Sequence, residues 1–152
     1  MSAIHTHNIA RYKTQSFRTC RGQESYAGIT ETAYRTCDGF IIVFSITDLA
    51  SFCAINDFME KIALLRELGH VPIILVGNKV DLANQRNVSQ REAFEYAARK
   101  NIEYIETSAK TNHNVQQVFY KMAKAVVDMK HANTQPQIQQ NKSRDDGCCC
   151  VL

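Results

Sequence analysis

The run Pro72-Ile73-Ile74-Leu75-Val76-Gly77-Asn78-Lys79-Val80-Asp81 is apolar and largely β-branched, and it breaks at a glycine into polar side chains. It reads as a strand buried on both faces of a parallel sheet, with a polar loop at its carboxyl end. Ligands of open α/β sheets bind at that end. The side chains in the loop suit a purine. An Asp81 carboxylate can accept two hydrogen bonds from adjacent N–H donors on a guanine edge, a pair that adenine lacks. The Lys79 stem can lie over the ring, and Asn78 can tie the loop to its neighbours. Asn-Lys-x-Asp alone is more often a plain turn, so its surroundings decide.

Those surroundings repeat the pattern. Phe40 to Ile46 is a second continuous apolar strand, and Ile102 to Ile105 is a shorter one expected at the sheet edge. Between the first two, Thr47-Asp48 supplies an N-cap for a helix with a core stripe of Phe52, Ile55, Met59, Ile62 and Leu65, closed by Gly69-His70. Ser89-x-x-Glu92 is a capping box opening a helix with Phe94, Ala97 and Ala98 on one face. Asn114-x-x-Gln117 resembles another cap, and Val115, Val118, Phe119, Met122, Val126 and Met129 trace the last amphipathic helix. Strands alternating with helices imply right-handed βαβ units in a parallel sheet. The loop after the middle strand and the loop Glu106-Thr107-Ser108-Ala109-Lys110 then lie side by side.

A chain of 152 residues, 45% hydrophobic and 22% charged, is sized for one domain with an ordinary core. Its net charge of +3 is scattered along the sequence, which argues against a nucleic-acid surface. Of six cysteines, Cys20, Cys37 and Cys53 are dispersed and Cys148, Cys149 and Cys150 are contiguous, so the spacing suggests neither a disulfide framework nor a zinc site. His5 and His7 read as solvated side chains and no metal site is expected. The N-terminus lacks the apolar core of a signal peptide, and the apolar runs are too short to span a membrane, so a cytosolic protein is expected. Residues 1–20 show neither helical nor strand periodicity.

Asn78-Lys79-x-Asp81 followed by Glu106 to Lys110 resembles the guanine-specificity elements of the Ras superfamily of small GTPases. The resemblance implies that Asp81 accepts from the guanine ring, Lys79 flanks its plane and Asn78 braces the loop against the phosphate loop. It also implies that the backbone N–H of Ala109 donates to the guanine carbonyl oxygen, while Ser108 and Lys110 hold the loop in shape. Gly22-Gln23-Glu24 is similar to the family's Asp-x-x-Gly-Gln-Glu, in which the glycine amide senses the γ-phosphate and the glutamine orients the attacking water. Those roles fall on Gly22 and Gln23. Ser25 through Thr36 resembles the switch II helix, presenting Tyr26 and Ile29 to regulators or effectors. The segment Tyr104 to Val115 with Val118-Phe119, and the ending Cys-Cys-Val-Leu, are most similar to the Ral group.

The departures from the family are equally specific. No two of the six glycines have the five-residue spacing of a Gly-x-x-x-x-Gly-Lys-Ser/Thr phosphate loop. Thr19 stands where the family has its magnesium-linked Asp, Arg21 replaces a small residue, and the switch I threonine has no counterpart, so the magnesium ligands expected of the family are missing. In the family's sheet the strand at Phe40 to Ile46 pairs with a strand that is absent here, which predicts an exposed apolar edge unless residues 1–20 cover it. From Ala132 to Gly147 the composition fits a flexible tether. The last four residues, Cys149-Cys150-Val151-Leu152, fit a C-a-a-X signal, with Leu152 favouring geranylgeranyl and Cys148 available for palmitoylation.

The expected fold is thus an α/β, Ras-type three-layer sandwich with a parallel sheet that lacks the first strands: a non-family N-terminus over 1–21, a partial GTPase domain over 22–131 and a tail over 132–152. The resemblance implies a GTP/GDP switch that hydrolyses GTP, impaired by loss of the phosphate loop. Implied partners are guanine nucleotide, exchange factors, GTPase activators, effectors and a prenyltransferase, and the implied location is the cytosolic face of a membrane. An alternative of another class is a non-catalytic module that competes for the regulators or effectors of intact relatives. A dinucleotide dehydrogenase is disfavoured, because no Gly-x-Gly-x-x-Gly follows a strand.

Overall fold

The computed structural model describes residues 16–19, 34–66, 71–133 and 148–152. Its elements, in chain order, are β1 (Ser16–Thr19), β2 (Gly39–Ser45), α1 (Leu49–Cys53), α2 (Ile55–Leu65), β3 (Ile73–Asn78), a 3₁₀ segment (Val80–Gln85), α3 (Gln90–Lys100), β4 (Glu103–Glu106), α4 (Val115–Asn133) and β5 (Cys148–Val151). All strand pairs are parallel, in the order β1-β5-β2-β3-β4. Helices cover both faces, as the α/β expectation required.

Strand alternation sorts the core into two. Phe40, Ile42 and Phe44 of β2 and Ile73 and Leu75 of β3 join Phe52, Ile55, Met59, Ile62, Tyr96 and Ala97 on the α1, α2 and α3 side. Ile41, Ile74, Val76 and Ile105 meet Val118, Met122 and Val126 of α4 on the other. Two glycines permit close approach: a Cβ on Gly39 would come 2.5 Å from Met122 Sδ, and one on Gly77 would come 2.6 Å from the Tyr104 hydroxyl.

Several local expectations needed revision. The helix after Asp48 begins as read, with the Asp48 carboxylate accepting from the Ala50 and Ser51 amides at 3.0 and 3.3 Å, but it is two pieces meeting at Ala54 and ends at Leu65. Gly69-His70, read as its stop, lies outside the described residues. Ser89 caps α3 through the Glu92 amide at 3.1 Å. The buried face of α3 is Ala93, Tyr96 and Ala97, not Phe94, Ala97 and Ala98, and Phe94 is 63% exposed. Tyr96 wins the core position because its ring meets Phe52 edge-on at 5.7 Å while its hydroxyl still reaches Asn56 at 3.0 Å. Phe119, placed on the inward stripe of α4, is also exposed.

The larger revision concerns the edge of β2. It is not bare: β5, from the end read as a lipidation signal, lies parallel against it, with Gly39, Phe40 and Ile41 opposite Cys149, Cys150 and Val151. The bond from the Val43 amide to the Leu152 carbonyl and that from the Leu152 amide to the Ile41 carbonyl, both 2.6 Å, extend the pairing. Ser16–Thr19, within a stretch read as lacking strand periodicity, pairs with the far side of β5. Strand addition is driven by backbone hydrogen bonds, which side-chain periodicity does not report. Cys37 and Cys150 form a disulfide across 113 residues, with Cα atoms 6.2 Å apart. Sequence spacing suggested no such pairing, because these cysteines become neighbours only when β5 docks. Gly22, Gln23, Tyr26 and Ile29 lie outside the described residues.

Candidate functional site

Strand β3 ends at Asn78 and β4 at Glu106, so the two loops leave adjacent strands at the carboxyl edge. The crossing between them is fixed by backbone bonds: the Thr107 amide donates to the Gly77 carbonyl at 2.8 Å, and the Val80 amide to the Thr107 carbonyl at 3.1 Å. Side chains then lock the loops together. Asn78 Oδ1 accepts from the Ala109 amide at 3.1 Å and from the Thr107 hydroxyl at 3.3 Å. The Ser108 hydroxyl donates to Asp81 Oδ1 at 2.6 Å and accepts from the Thr111 amide at 3.2 Å. Ser108 is fully buried and Thr107 nearly so, whereas Lys79, Asp81, Ala109 and Lys110 are exposed. A buried polar frame therefore carries the exposed Asp81 carboxylate and Lys79 stem at its rim, with the Ala109 amide bonded to Asn78.

Lys79 holds a left-handed backbone, φ 70° and ψ 36°. That conformation is disfavoured for a long side chain and is tolerated where surrounding structure dictates it, which is characteristic of binding loops. Asn112 and Asn114 adopt the same region at φ 58° and 56° around the second loop, where Asn is a favoured occupant. Asn114 stands directly before α4, where its carbonyl accepts from the Val118 amide at 3.2 Å, while its Nδ2 donates to the Glu106 carbonyl at 2.9 Å. Reciprocal backbone bonds between Ser108 and His113, 3.1 and 3.0 Å, close the loop.

Below the rim lies a cluster that sequence reasoning did not assign. Arg86 forms a two-pronged pair with Glu106 at 2.7 and 3.0 Å, and the Tyr104 hydroxyl donates to the same carboxylate at 2.8 Å. Burial pushes Glu106 upward, but the bonds from Arg86 and Tyr104 outweigh it and hold its carboxyl below the ordinary range. Burial, with the bond to Glu106, drives the Tyr104 phenol well above its ordinary value. Arg86 sits in a loop whose composition gave no signal. Glu106 and Thr107 stood inside the quoted motif without a role; polar residues at the end of an apolar strand were the available cue.

The Ras family model matches residues 5–128, most of the chain. The chain belongs to the Ras family. Relatives include the Ras-related protein O-RAL of Diplobatis ommata, 40% identical over 136 residues, covering 86% of this chain and 66% of that protein. The Ras-like protein RAS2 of Hydra vulgaris is 38% identical, covering 86% and 67%, and the Ras-related protein Ral-B of Rattus norvegicus is 39% identical, covering 86% and 66%. The chain thus spans about two thirds of the length of the curated relatives it matches. Similarity to Ral proteins agrees with the Ral-like motifs, and the parallel sheet with helices on both faces is the Ras-type architecture. Within this Ras-family fold the two loops are joined by the bonds from Ala109 and Thr107 to Asn78 and from Ser108 to Asp81.

Proposed function

We propose that this Ras-family chain recognises the guanine base of GTP or GDP through Asp81 and Lys79, and through the Ala109 amide once it exchanges Asn78 Oδ1 for the guanine carbonyl oxygen. The observation that supports the reading is the Ser108 to Asp81 bond: it holds Oδ1 of an otherwise exposed carboxylate, whose remaining acceptor sites are open to a pair of N–H donors. Asn78 and Lys110 complete the loop frame. Within the 152 residues no Gly-x-x-x-x-Gly-Lys-Ser/Thr occurs to cradle phosphates. A base clamp alone makes two or three charge-assisted bonds of about 1.5 to 3 kcal/mol each. Association costs of at least about 4 kcal/mol leave an affinity of roughly millimolar. The role we assign to these residues is accordingly base recognition, with GTP hydrolysis through Gln23 and Gly22 slow or absent. Magnesium does not fit the residues present, since Thr19 stands in the place of the family's Asp, and we draw no step through it.

A second reading is supported by the sheet. The position beside β2, where the family resemblance puts the strand leading into the phosphate loop, is filled by β5. That favours a non-catalytic module meeting the exchange factors, GTPase activators or effectors of intact relatives. On either reading Cys149 is the site of a prenyl group and Cys148 of a second acyl chain, placing the protein on the cytosolic face of a membrane.

Fluorescent GDP titrated into the purified chain, with adenine nucleotide as competitor, tests the clamp. Saturation in the millimolar range, lost in Asp81→Ala and indifferent to adenine nucleotide, is the expected outcome. Binding that survives Asp81→Ala would reject base recognition here, and micromolar affinity would mean that another segment holds the phosphates.

A further inference from the structure

The Cys149-Cys150-Val151-Leu152 ending has two uses that exclude one another. As β5 it alternates across the sheet: Cys149 and Val151 face the α4 core, while Cys150 and Leu152 face the core of Tyr34, Phe40 and Ile42. Cys149 and Cys150 are both fully buried, with strands on either side. As a lipidation signal the same segment must be extended and free, with the Cys149 sulfur open to a bulky prenyl diphosphate. A pair of small cysteines followed by aliphatic residues satisfies a central strand and a C-a-a-X signal equally well. The segment cannot do both at once.

The Cys37 to Cys150 disulfide ties this choice to redox state. Its Cys37 end is anchored: Arg66 Nη1 donates to the Arg35 and Cys37 carbonyls at 2.8 and 2.9 Å, and Lys130 pairs with Asp38 at 3.2 Å. The other end sits on β5, a strand of only four residues. We infer that β5 is a redox-latched plug: oxidised, it seals the β2 edge and hides Cys149; reduced, it releases the tail and exposes Cys149 for lipidation. The inference rests on the lipid-anchor reading above for its output, and on the sheet alone for the latch. On that reading the chain faces the cytosol, where disulfides are transient and regulatory rather than structural.

The chemistry balances with a small thiol as co-reactant. Two equivalents of the thiol reduce the Cys37 to Cys150 bond through a mixed disulfide, leaving two protein thiols and one small-molecule disulfide; closure is the reverse. In the open state the Cys149 thiolate forms a C–S bond to the prenyl group as the C–O bond to diphosphate breaks. Diphosphate leaves and the thiol proton passes to solvent.

Maleimide labelling of the full chain, mapped by fragment mass spectrometry, tests the latch, with exposed Cys53 as internal reference. In the oxidised protein Cys149 should label at least tenfold more slowly than Cys53, and reductant should raise its rate by about that factor. Cys37→Ser should label at the faster rate with or without reductant. Circular dichroism on reduced unmodified protein gives a readout that needs no variant to fold. Equal labelling of Cys149 and Cys53 before reduction overturns the proposal, as does an oxidised dimer that reduction splits, since the bond would then join two copies. Geranylgeranyl transfer is measured in parallel on the chain and on a peptide of residues 141–152. A modified peptide with an oxidised chain at least tenfold slower supports the gate. An unmodified peptide rejects the lipid reading while the labelling result still judges the latch.

Discussion

Lys79 is one of four described residues other than glycine with a left-handed backbone. Its left-handed backbone, φ 70°, costs about 1 kcal/mol for a residue with a Cβ, yet the turn carries the ammonium stem to the rim beside Asp81. Lys79→Gly should therefore raise stability by up to about 1 kcal/mol in urea denaturation, while guanine nucleotide binding falls because the stem over the ring is gone. A variant both less stable and unchanged in binding would remove Lys79 from the site. Glu106 makes the opposite bargain below the rim, where Arg86 and Tyr104 hold its carboxyl below the ordinary 4.5. A carboxyl lowered in the folded state adds stability at pH above its unfolded value, and that stability is lost as pH falls through the folded value. Glu106→Gln should cost about 1.5 to 3 kcal/mol at pH 7, and the gap between it and the native chain should close below the ordinary carboxylate range. Urea titrations at a series of pH values measure this; a gap independent of pH would mean that the charge is irrelevant.

At the scale of elements, the loops were legible and their underpinning was not. Asn78-Lys79-x-Asp81 and Ser108-Ala109-Lys110 were legible only as a pair, each following an apolar strand, since either alone would read as a plain turn. The resemblance gives Asn78 the phosphate loop to brace and the Ala109 amide the guanine carbonyl; in the structure that amide donates to Asn78 Oδ1 and the Ser108 hydroxyl donates to Asp81. Thr107 and Arg86 were missed because their partners are distant in sequence. Tyr96 was missed because an amphipathic tyrosine competes with an adjacent phenylalanine stripe, and periodicity alone cannot say which of two registers packs. Gly77 carries a constraint that joins the two loops. An added Cβ would press on the Tyr104 hydroxyl at 2.6 Å and on Phe44 at 3.2 Å, displacing Tyr104 from Glu106. Gly77→Ala should destabilise by about 1 to 3 kcal/mol. If the cost comes from that displacement, then Tyr104→Phe, which removes the hydroxyl, should recover part of it in the double variant; strict additivity in thermal melts would put the obstacle on the Phe44 and Tyr104 rings, each 3.2 Å from the added Cβ.

For the whole molecule, the open question after sequence analysis was what covers the apolar edge of β2. Residues 1–20 were the candidates and their polar composition argued against them. The structure gives that place to the other end of the chain, with Ser16–Thr19 outside it. This was unreadable in advance because the C-a-a-X pattern offered a complete explanation of the same residues, and because strand pairing at a sheet edge depends on backbone groups that every sequence has. The arrangement makes a global property depend on five residues. Deleting 148–152 removes the disulfide, worth about 2 to 5 kcal/mol for a loop of this size, and uncovers Phe40, Ile41 and Ile42, which are buried in the intact chain. Against a total stability of about 5 to 15 kcal/mol, such a loss leaves a marginal domain whose exposed parallel edge can pair with other copies. The deletion should show concentration-dependent light scattering at temperatures where the intact, oxidised chain stays monomeric. Cys37→Ser should fall between them, since its strand, released without the bond, is still present to re-dock on β2. A deletion as soluble and as stable as the intact chain would show that β5 contributes nothing to the fold, and with it the latch would lose its structural basis.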